Sequence, residues 1–326
     1  MSLLNEILEK AKKKEGKIIL PEALKDDRVM QAVKSVLEQK ISDVILFGKK
    51  EDYPSEISKN PMAEIIDIAN YNDKQILAEK LYELRKEKGM TIEQANEKIN
   101  DELIFSNMLI KTGYASGMVA GAYYTTADVL RPALQIVKAK KGRKTVSGSM
   151  LLIDNENKAN RPNYMVFSDV SLVENPTIEQ LSEIAISAGE FVENVIGEEP
   201  RIAFLSYSSK GSAKSEMTEK MIQATNLTKS LSSYLIDGEM QFDSALDEEV
   251  AKKKKVDLSV GGKANVFIFP DLNAGNISYK IASRLGGYLA IGPITNNFAK
   301  PINDLSRGCK AEEIVYTVAI TKLQAE

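Results

Sequence analysis

A serine- and glycine-rich segment of the sequence has the composition of a site for a phosphate group or another anion. It runs through Ser208, Ser209, Lys210, Gly211 and Ser212, between an apolar strand-like run and a helical pattern. Backbone N–H groups at the start of a helix, hydroxyl groups and a lysine are the donors that a phosphate prefers. Segments of this composition are also ordinary turns, and this one matches neither GxxxxGK(S/T) nor GxGxxG. The residues alone therefore leave a phosphate site and a plain turn both open.

A second segment combines a hydroxyl, a guanidinium and carboxylates around the start of a predicted helix. Ser306 and Arg307 precede a helical pattern that begins near residue 311. Glu312 and Glu313 stand in the first turn of that helix. These groups suit an anionic substrate and a nearby proton acceptor, whereas a capped helix start with acidic first-turn residues is the structural alternative. Cys309 is a further candidate nucleophile, but it has no histidine partner to activate it. A position at a helix start is the one feature here that favours a lower pKa for its thiol.

The absence of histidine excludes whole classes of mechanism. None of the 326 residues is histidine, so Ser-His-Asp catalysis, Cys-His catalysis and histidine-ligated metal sites are ruled out. Acid–base chemistry must then come from carboxylates, lysine, tyrosine, the single cysteine or the substrate itself. Asp237, Glu239 and Asp243 form an acidic segment with oxygen ligands of the kind Mg²⁺ prefers, but no phosphate motif accompanies it. We interpret this segment as a structural or hinge loop after a strand at Leu235–Ile236.

The composition is that of an ordinary globular enzyme. Its 326 residues suffice for about two domains of roughly 150 residues each. Forty-three basic and 46 acidic residues give a net charge of −3, which provides no basic field for nucleic acid. A single cysteine forms no intrachain disulfide, no run of about 18 apolar residues predicts a membrane span, and the charges from Glu6 onward predict no signal peptide. These features predict a cytoplasmic protein.

The elements that must position the candidate groups alternate between strand and helix. Apolar runs at Lys17–Leu20 and Val44–Phe47 enclose a helical pattern over Asp27–Lys40. Such a βαβ unit predicts a parallel sheet covered by helices. Arg85 and Arg131 each follow an apolar helical stripe, and surface ion pairing is the first interpretation of both.

A change in composition marks a candidate domain boundary. The basic run Lys138–Lys144 is followed by a second alternation of strands and helices. The last predicted helix cannot bury its apolar face alone and must pack on one of the two parts. We therefore expect a first domain of residues 1–142 and 294–326, and a second domain of residues 143–293 inserted in it, with a cleft between them.

Several ordered segments resemble the phosphate acetyl/butyryl transferase family. The segments that carry the resemblance are 19–23, 113–122, 126–135, 206–212, 237–241, 269–276 and 300–308, and the similarity covers essentially the whole chain. The resemblance implies the reversible reaction acetyl-CoA + phosphate ⇌ acetyl phosphate + CoA, with no metal in the chemistry and no covalent acyl-enzyme. It also implies a homodimer of α/β subunits, each with two three-layer α/β domains facing a cleft, as in the isocitrate/isopropylmalate dehydrogenase-like fold.

The resemblance also assigns roles to individual residues. The catalytic set that it implies is Ser306, Arg307 and Glu313. The substrate-binding set consists of Arg85 and Arg131, together with Ser208, Ser209, Lys210, Gly211 and Ser212 of the loop discussed first. The family has aspartate at the position of Glu313, so the adjacent Glu312 stays open as the proton acceptor.

Other functions stay open beside acetyl transfer. Phosphate propanoyl- or butyryltransferases share this architecture, because an extra methylene in a pocket is worth only about 1–3 kcal/mol. A metal- and NAD-dependent decarboxylating dehydrogenase of related fold is the other enzyme class. A non-catalytic regulatory copy is disfavoured because the serine, arginine and carboxylate set is intact. We expect CoA as a substrate, no permanently bound cofactor, and no nucleic-acid or membrane partner.

Overall fold

The chain folds into two compact units, each built around one β-sheet. The computed structural model describes residues 2–154 and 162–325. One unit comprises Met1–Lys140 and Phe298–Glu326, and the other comprises Lys141–Asn297. No helix within the described ranges is long and apolar enough to cross a membrane.

Helices and strands alternate through both units. The strands are β1 (Lys17–Ile19), β2 (Asp43–Phe47), β3 (Ala63–Ile66), β4 (Gly117–Ala120), β5 (Ser147–Ile153), β6 (Tyr164–Ser168), β7 (Arg201–Leu205), β8 (Leu235–Met240), β9 (Val266–Ile268), β10 (Leu289–Asn296) and β11 (Ile302–Asp304). The α-helices are α1 (Leu3–Lys12), α2 (Asp27–Glu38), α3 (Ser55–Ser58), α4 (Lys74–Arg85), α5 (Ile92–Lys98), α6 (Glu102–Lys111), α7 (Thr126–Ile136), α8 (Ile178–Phe191), α9 (Glu216–Leu231), α10 (Phe242–Leu246), α11 (Glu248–Lys253), α12 (Leu272–Arg284) and α13 (Ala311–Gln324). Short 3₁₀ turns occur at Lys50–Asp52, Ile68–Asn70 and Lys86–Lys88, and a π-helical turn at Val192–Ile196.

The described strands of the first unit all pair in parallel, in the order β11-β4-β1-β2-β3. Ile18, Ile19 and Val44 in its centre each expose 0% of their surface. A parallel sheet is covered by helices on both faces, which is why β1, β2 and β4 consist mainly of apolar residues. The predicted parallel sheet is confirmed by this pairing. Because the carboxyl ends of β11, β4 and β1 are adjacent, the loops that follow them share one edge of the sheet.

The last helix, α13, packs in the first unit against α1, α2 and β4. Ile314, Val318, and even the polar Thr317 and Thr321, each expose 0% of their surface. Both threonine hydroxyls donate to backbone carbonyls four residues earlier, at 2.8 and 2.6 Å, so no unpaired polar group is buried there. This packing fixes α13, whose first turn carries Glu313, against the sheet that contains β11.

The sheet of the second unit has the order β10-β5-β6-β9-β7-β8. Strands β6, β9, β7 and β8 are parallel, whereas β5 runs antiparallel to both β10 and β6. The sequence pattern did not predict β10, because Gly292 and Pro293 interrupt its apolar run. The pairing with β5 shifts its register between Ile291 and Ile294. An edge strand with a bulge tolerates a proline, which has no N–H group to donate.

Candidate active site

The loop that follows β4 wraps around a fully buried carboxylate. Glu22, directly after β1, exposes 0% of its surface. It accepts backbone hydrogen bonds from Gly121, Ala122, Tyr123 and Tyr124, at 2.8, 3.0, 3.2 and 2.9 Å. Hydrogen bonds to a charged group are worth about 1.5–3 kcal/mol each. Glu22 therefore determines the path of the β4–α7 loop at the carboxyl edge of the sheet.

Ser306 and Arg307 lie on an exposed turn between β11 and α13. The Ser306 carbonyl accepts from the N–H group of Cys309 at 2.9 Å, and its hydroxyl oxygen accepts from that of Gly308 at 3.3 Å. Both of these hydrogen bonds lie within the turn, and the two candidate side chains stay exposed. A hydroxyl and a guanidinium presented at this edge suit a substrate that carries negative charge.

The two neighbouring glutamates of α13 occupy different environments. Glu312 is exposed and accepts a hydrogen bond from the Tyr316 hydroxyl at 3.0 Å. Glu313 is half-buried, and its charge contributes to raising the pKa of Cys309. Successive helical residues point about 100° apart, so one of them faces solvent while the other lies beside the turn.

The position of Cys309 before a helix does not activate its thiol, because burial raises the pKa of that thiol. Cys309 is buried, at 4% exposure. Burial raises its pKa to about 11, against the opposing charge of Arg28. A thiol with this pKa is protonated at neutral pH and is a poor nucleophile.

Asp304, the last residue of β11, is a buried carboxyl with one satisfied oxygen. It is 4% exposed, and its Oδ2 accepts from the Thr126 hydroxyl at 2.7 Å. Its Oδ1 has no hydrogen-bond partner among the described residues. Burial raises the pKa of Asp304 to about 7; Glu22 adds to this increase, and Arg307 opposes it. A titratable group therefore lies two residues before Ser306.

The two predicted substrate-binding arginines lie in the first unit on different helices. Arg85 ends α4, and its Nε is buried without a hydrogen-bond partner among the described residues. Such an unpaired donor costs about 1–3 kcal/mol, which a bound anion would recover. Arg131 is exposed on α7, one turn after Asp128. The surface ion pair expected for Arg85 is absent from the described part of the chain.

The serine-rich segment of the second unit forms a tight loop between β7 and α9, and its inner side encloses a carboxylate of the protein. Ser208 Oγ and the N–H group of Gly211 both donate to Glu239 Oε1, each at 2.8 Å. Ser208 and Glu239 are buried, at 0% and 2% exposure. Ser212, by contrast, is exposed. An external anion therefore has access to the outer side of this loop rather than to its inner side.

Two carboxylates of the predicted acidic loop belong instead to strand β8, so that part of the prediction is wrong. Asp237 pairs in register with Ala203 of β7, and both it and Glu239 are buried. Lys210 Nζ contacts Asp237 Oδ1 at 2.5 Å, and Lys229 Nζ contacts it at 3.2 Å. Burial alone would raise the pKa of Asp237. The hydrogen bond from Lys210 and the positive charge of that lysine outweigh the effect of burial, so the pKa of Asp237 is below its usual value. The ammonium group of Lys210 thus neutralises a strand carboxylate.

A basic pocket of about 220 Å³ adjoins the outer side of the loop. It is lined by Ser209, Ser212, Gln241, Lys253, Lys254 and Lys255. Lys254 is paired with Asp243 at 2.8 Å, which holds the pKa of that carboxyl below its usual value. Among the described residues, no group of three or more Asp, Glu, Cys or His side chains is arranged to hold a metal ion.

Sequence reasoning missed three charged residues at the carboxyl edge of the first sheet: Glu22, Arg28 and Asp304. Glu22 and Asp304 have a recognisable signal, because each stands at or just after the end of an apolar strand in a segment that should be solvated. Their partners lie about a hundred residues or more away in the chain, so their burial was not readable from local pattern.

In class, this is an α/β protein with an exposed serine and arginine at the carboxyl edge of a parallel sheet. The chain belongs to the phosphate acetyl/butyryl transferase family, since the family model described as "Phosphate acetyl/butaryl transferase" matches residues 2–322. It is 48% identical over 329 residues to a phosphate acetyltransferase of Acetivibrio thermocellus, covering 100% of this chain and 99% of that one. It is 40% identical over 328 residues to the phosphate acetyltransferase of Bacillus subtilis, covering 99% of each.

Solved structures show the same fold. A phosphotransacetylase from Streptococcus pyogenes superposes with a TM-score of 0.90 at 39% identity, covering 99% of this chain and 97% of that one. A 4-hydroxythreonine-4-phosphate dehydrogenase from Klebsiella pneumoniae shares the fold alone, with a TM-score of 0.53 at 12% identity over 95% of this chain and 98% of that one. The predicted family and the dehydrogenase-like α/β fold class are confirmed.

Proposed function

We propose that this chain moves an acetyl group reversibly between CoA and phosphate. This is the reaction for which the relatives that match along the whole chain are named. The observation that carries the proposal is the exposed Ser306–Arg307 turn at the carboxyl edge of the parallel sheet. Parallel α/β sheets bind their ligands at this edge, and both CoA and acetyl phosphate are anions. Family membership over residues 2–322 supports the same reaction.

The mechanism we propose is direct attack in a ternary complex. Glu313 accepts the proton of the CoA thiol, the thiolate attacks the acetyl carbonyl, and phosphate leaves with the electron pair of the C–O bond. Ser306 donates a hydrogen bond to the developing oxyanion, which is worth about 10²–10³ in kcat for one such donor. Arg307 binds the phosphoryl oxygens through its rigid fork of donors as charge builds on them. A thiol with a pKa of about 8.5 needs only a carboxylate to assist its ionisation.

The chemistry of the chain supports transfer without an acyl-enzyme. Histidine is absent from the sequence, so neither Ser306 nor Cys309 has the usual partner that activates a nucleophile. Cys309 is buried with a pKa raised to about 11. Arg85 and Arg131 complete the proposed binding of substrate phosphates, and the unpaired Nε of Arg85 supports a role for that residue.

We propose that the Ser208–Ser212 loop binds the phosphoryl group of acetyl phosphate or inorganic phosphate on its outer side. The exposed residue Ser212, whose Oγ also contacts Ser208 Oγ at 3.2 Å and accepts from the Ser209 N–H at 3.1 Å, and the lysines of the adjoining 220 Å³ pocket support this site. Asp237 is shared by Lys210 and Lys229, so the two ammonium groups keep a net positive charge beside the loop.

The homodimer is part of the same proposal. Ile277, Ile281 and Leu285, on and just after α12, are 56%, 53% and 85% exposed and stand at a spacing of four residues. In a homodimer, the same apolar stripe on a second copy of the chain would pack against this one and remove both from water. Ile281→Asp should convert a dimer into a monomer in light scattering, whereas Leu134→Asp, at an apolar residue of α7 that is 51% exposed, should leave it dimeric. A monomeric wild type would contradict the proposal.

One assay tests the reaction. We expect phosphate-dependent release of CoA from acetyl-CoA, and no NADH formation with Mg²⁺ and NAD. Propanoyl- and butyryl-CoA are measured alongside, because the description of the matched family names both acetyl and butyryl transfer. Preference for butyryl-CoA would make the chain a butyryltransferase, and absence of phosphate-dependent release from all three would refute the proposal.

A further inference from the structure

Arg28, near the start of α2, uses all five of its N–H donors within the first unit. Nε and Nη2 donate to the two carboxylate oxygens of Asp26, at 3.0 and 2.6 Å. Nη1 donates to the backbone carbonyls of Arg307 and Cys309, at 2.7 and 2.8 Å. Nη2 also donates to the carbonyl of Ala122, at 3.0 Å. One side chain therefore joins the loops after β1, β4 and β11.

The guanidinium of Arg28 is itself held in place by Asp26. Asp26 accepts from the Arg28 backbone N–H at 2.9 Å as the N-cap of α2, in addition to the two side-chain bonds. Hydrogen bonding to Arg28 lowers the pKa of Asp26, and the same contact raises the pKa of Arg28. A bidentate pair fixes the plane of a guanidinium, so the direction of its remaining donors is set in advance.

Besides the Arg28 bonds, the turn that carries Ser306 and Arg307 has hydrogen bonds from the N–H groups of Gly308 and Cys309 to Ser306, and it is flanked by the buried Leu305 and Cys309. Ser306, Arg307 and Gly308 are exposed, so apolar burial contributes little to their position. The Arg28 bonds end on the carbonyls of Arg307 and Cys309, on either side of Gly308. Because these bonds go to backbone rather than to side chains, they place the turn and leave the side chains of Ser306 and Arg307 free for a substrate.

The neighbouring loop is tied to the same structure. The peptide groups of Ala122 contact two charged residues, since its N–H donates to Glu22 at 3.0 Å and its carbonyl accepts from Arg28 at 3.0 Å. The loop after β4 and the turn after β11 are thus both hydrogen-bonded to the guanidinium of Arg28. A shift of either loop would break its hydrogen bonds to Arg28.

We propose that Arg28 is a positioning residue that sets the location of the Ser306–Arg307 turn for catalysis. This inference rests on the proposed function, because it assumes that these two residues act on the substrate. Lysine cannot replace Arg28, since a single ammonium group has three donors and no planar fork. A displacement of a catalytic group by about 1 Å is sufficient to cost about 10²-fold in rate.

The test uses Arg28→Lys and Arg28→Ala in the full chain. Arg201→Lys is the matched control, because Arg201 forms an ion pair with Glu199 at 3.3 Å in the second unit. We expect kcat to fall about 10²-fold in Arg28→Lys, with the folded fraction unchanged by circular dichroism and the control fully active. Added guanidinium should raise the activity of Arg28→Ala, whereas methylammonium at the same concentration should not.

A second measurement separates this inference from the proposed function. Hydrogen exchange of the peptide spanning residues 305–310 should accelerate in Arg28→Lys and stay unchanged in Arg201→Lys, whether or not the wild type transfers acetyl groups. An inactive wild type with accelerated exchange in Arg28→Lys would refute the proposed function and keep the structural part of the inference. Unchanged exchange, activity within twofold of the control, or loss of activity only in proportion to loss of folded protein would each overturn it.

Discussion

Replacing Asp304 by asparagine should make the stability of the protein less sensitive to pH. The carboxyl is 4% exposed, with one oxygen bonded to Thr126 and the other without a partner among the described residues. Burial raises its pKa to about 7, with a further increase from the charge of Glu22 and a decrease from that of Arg307. The folded state therefore disfavours the ionised form, which the unfolded chain adopts freely.

The magnitude follows from the two pKa values. Aspartate in an unfolded chain ionises near pH 3.9, and one unit of difference corresponds to about 1.4 kcal/mol. Below pH 4 both states are protonated and the group costs nothing. As the pH rises from 4 to 7, the unfolded state loses its proton first, so stability falls; above pH 7 both states are ionised and the loss is complete. The loss is about 4 kcal/mol in all, of which about 3 kcal/mol falls between pH 5 and pH 8.

Urea unfolding followed by circular dichroism at pH 5, 6, 7 and 8 measures this effect. The free energy of unfolding of Asp304→Asn, relative to wild type, should rise by about 3 kcal/mol across that range. Any packing cost of the amide is independent of pH and leaves this difference unchanged. Asp243→Asn is the control, because Lys254 lowers the pKa of Asp243 and moves its titration below this window. Parallel pH profiles for wild type and Asp304→Asn would refute the reasoning.

Three further predictions concern the proposed site. Arg307→Lys should lower kcat about 10²-fold in spite of the retained charge, because a lysine cannot contact two phosphoryl oxygens in one plane. Steady-state kinetics with acetyl phosphate and CoA measures this change in kcat, and near-normal turnover would contradict the bidentate role. Glu313→Gln should lower kcat about 10²–10⁴-fold with little change in the KM of acetyl phosphate, whereas Glu312→Gln should retain most activity. A larger loss of kcat in Glu312→Gln than in Glu313→Gln would transfer the role of proton acceptor to Glu312. Ser212→Ala should raise the KM of phosphate by up to about tenfold, and an unchanged KM and kcat would remove the loop from the site.

Local structure was predictable wherever it depends on residues three or four apart. At the starts of α5 and α8, for example, Thr91 and Thr177 form capping boxes with Gln94 and Gln180 as their reciprocal partners. Such a box is formed within one turn of backbone, so its residues determine it without help from the rest of the chain. Apolar runs identified β1, β2 and β8, but they did not identify β3, β4 and β11 of the first sheet. They also failed at β10, where the Gly292-Pro293 pair interrupts the run although the neighbouring strand β5 provides partners.

The sequence by itself determined the family, the α/β alternation and the candidate residues Ser306, Arg307 and Glu313. Only the tertiary structure decided which charges are buried and what they bind. Arg28 bonds to the carbonyl of Arg307, 279 residues away, and Glu22 bonds to the N–H group of Gly121, 99 residues away. A charged side chain that is wholly or partly removed from water must find hydrogen-bonding partners, and those partners come from whichever loops the sheet brings to its edge. No local pattern records that choice, because it depends on the order of strands β11, β4 and β1 rather than on neighbours in sequence.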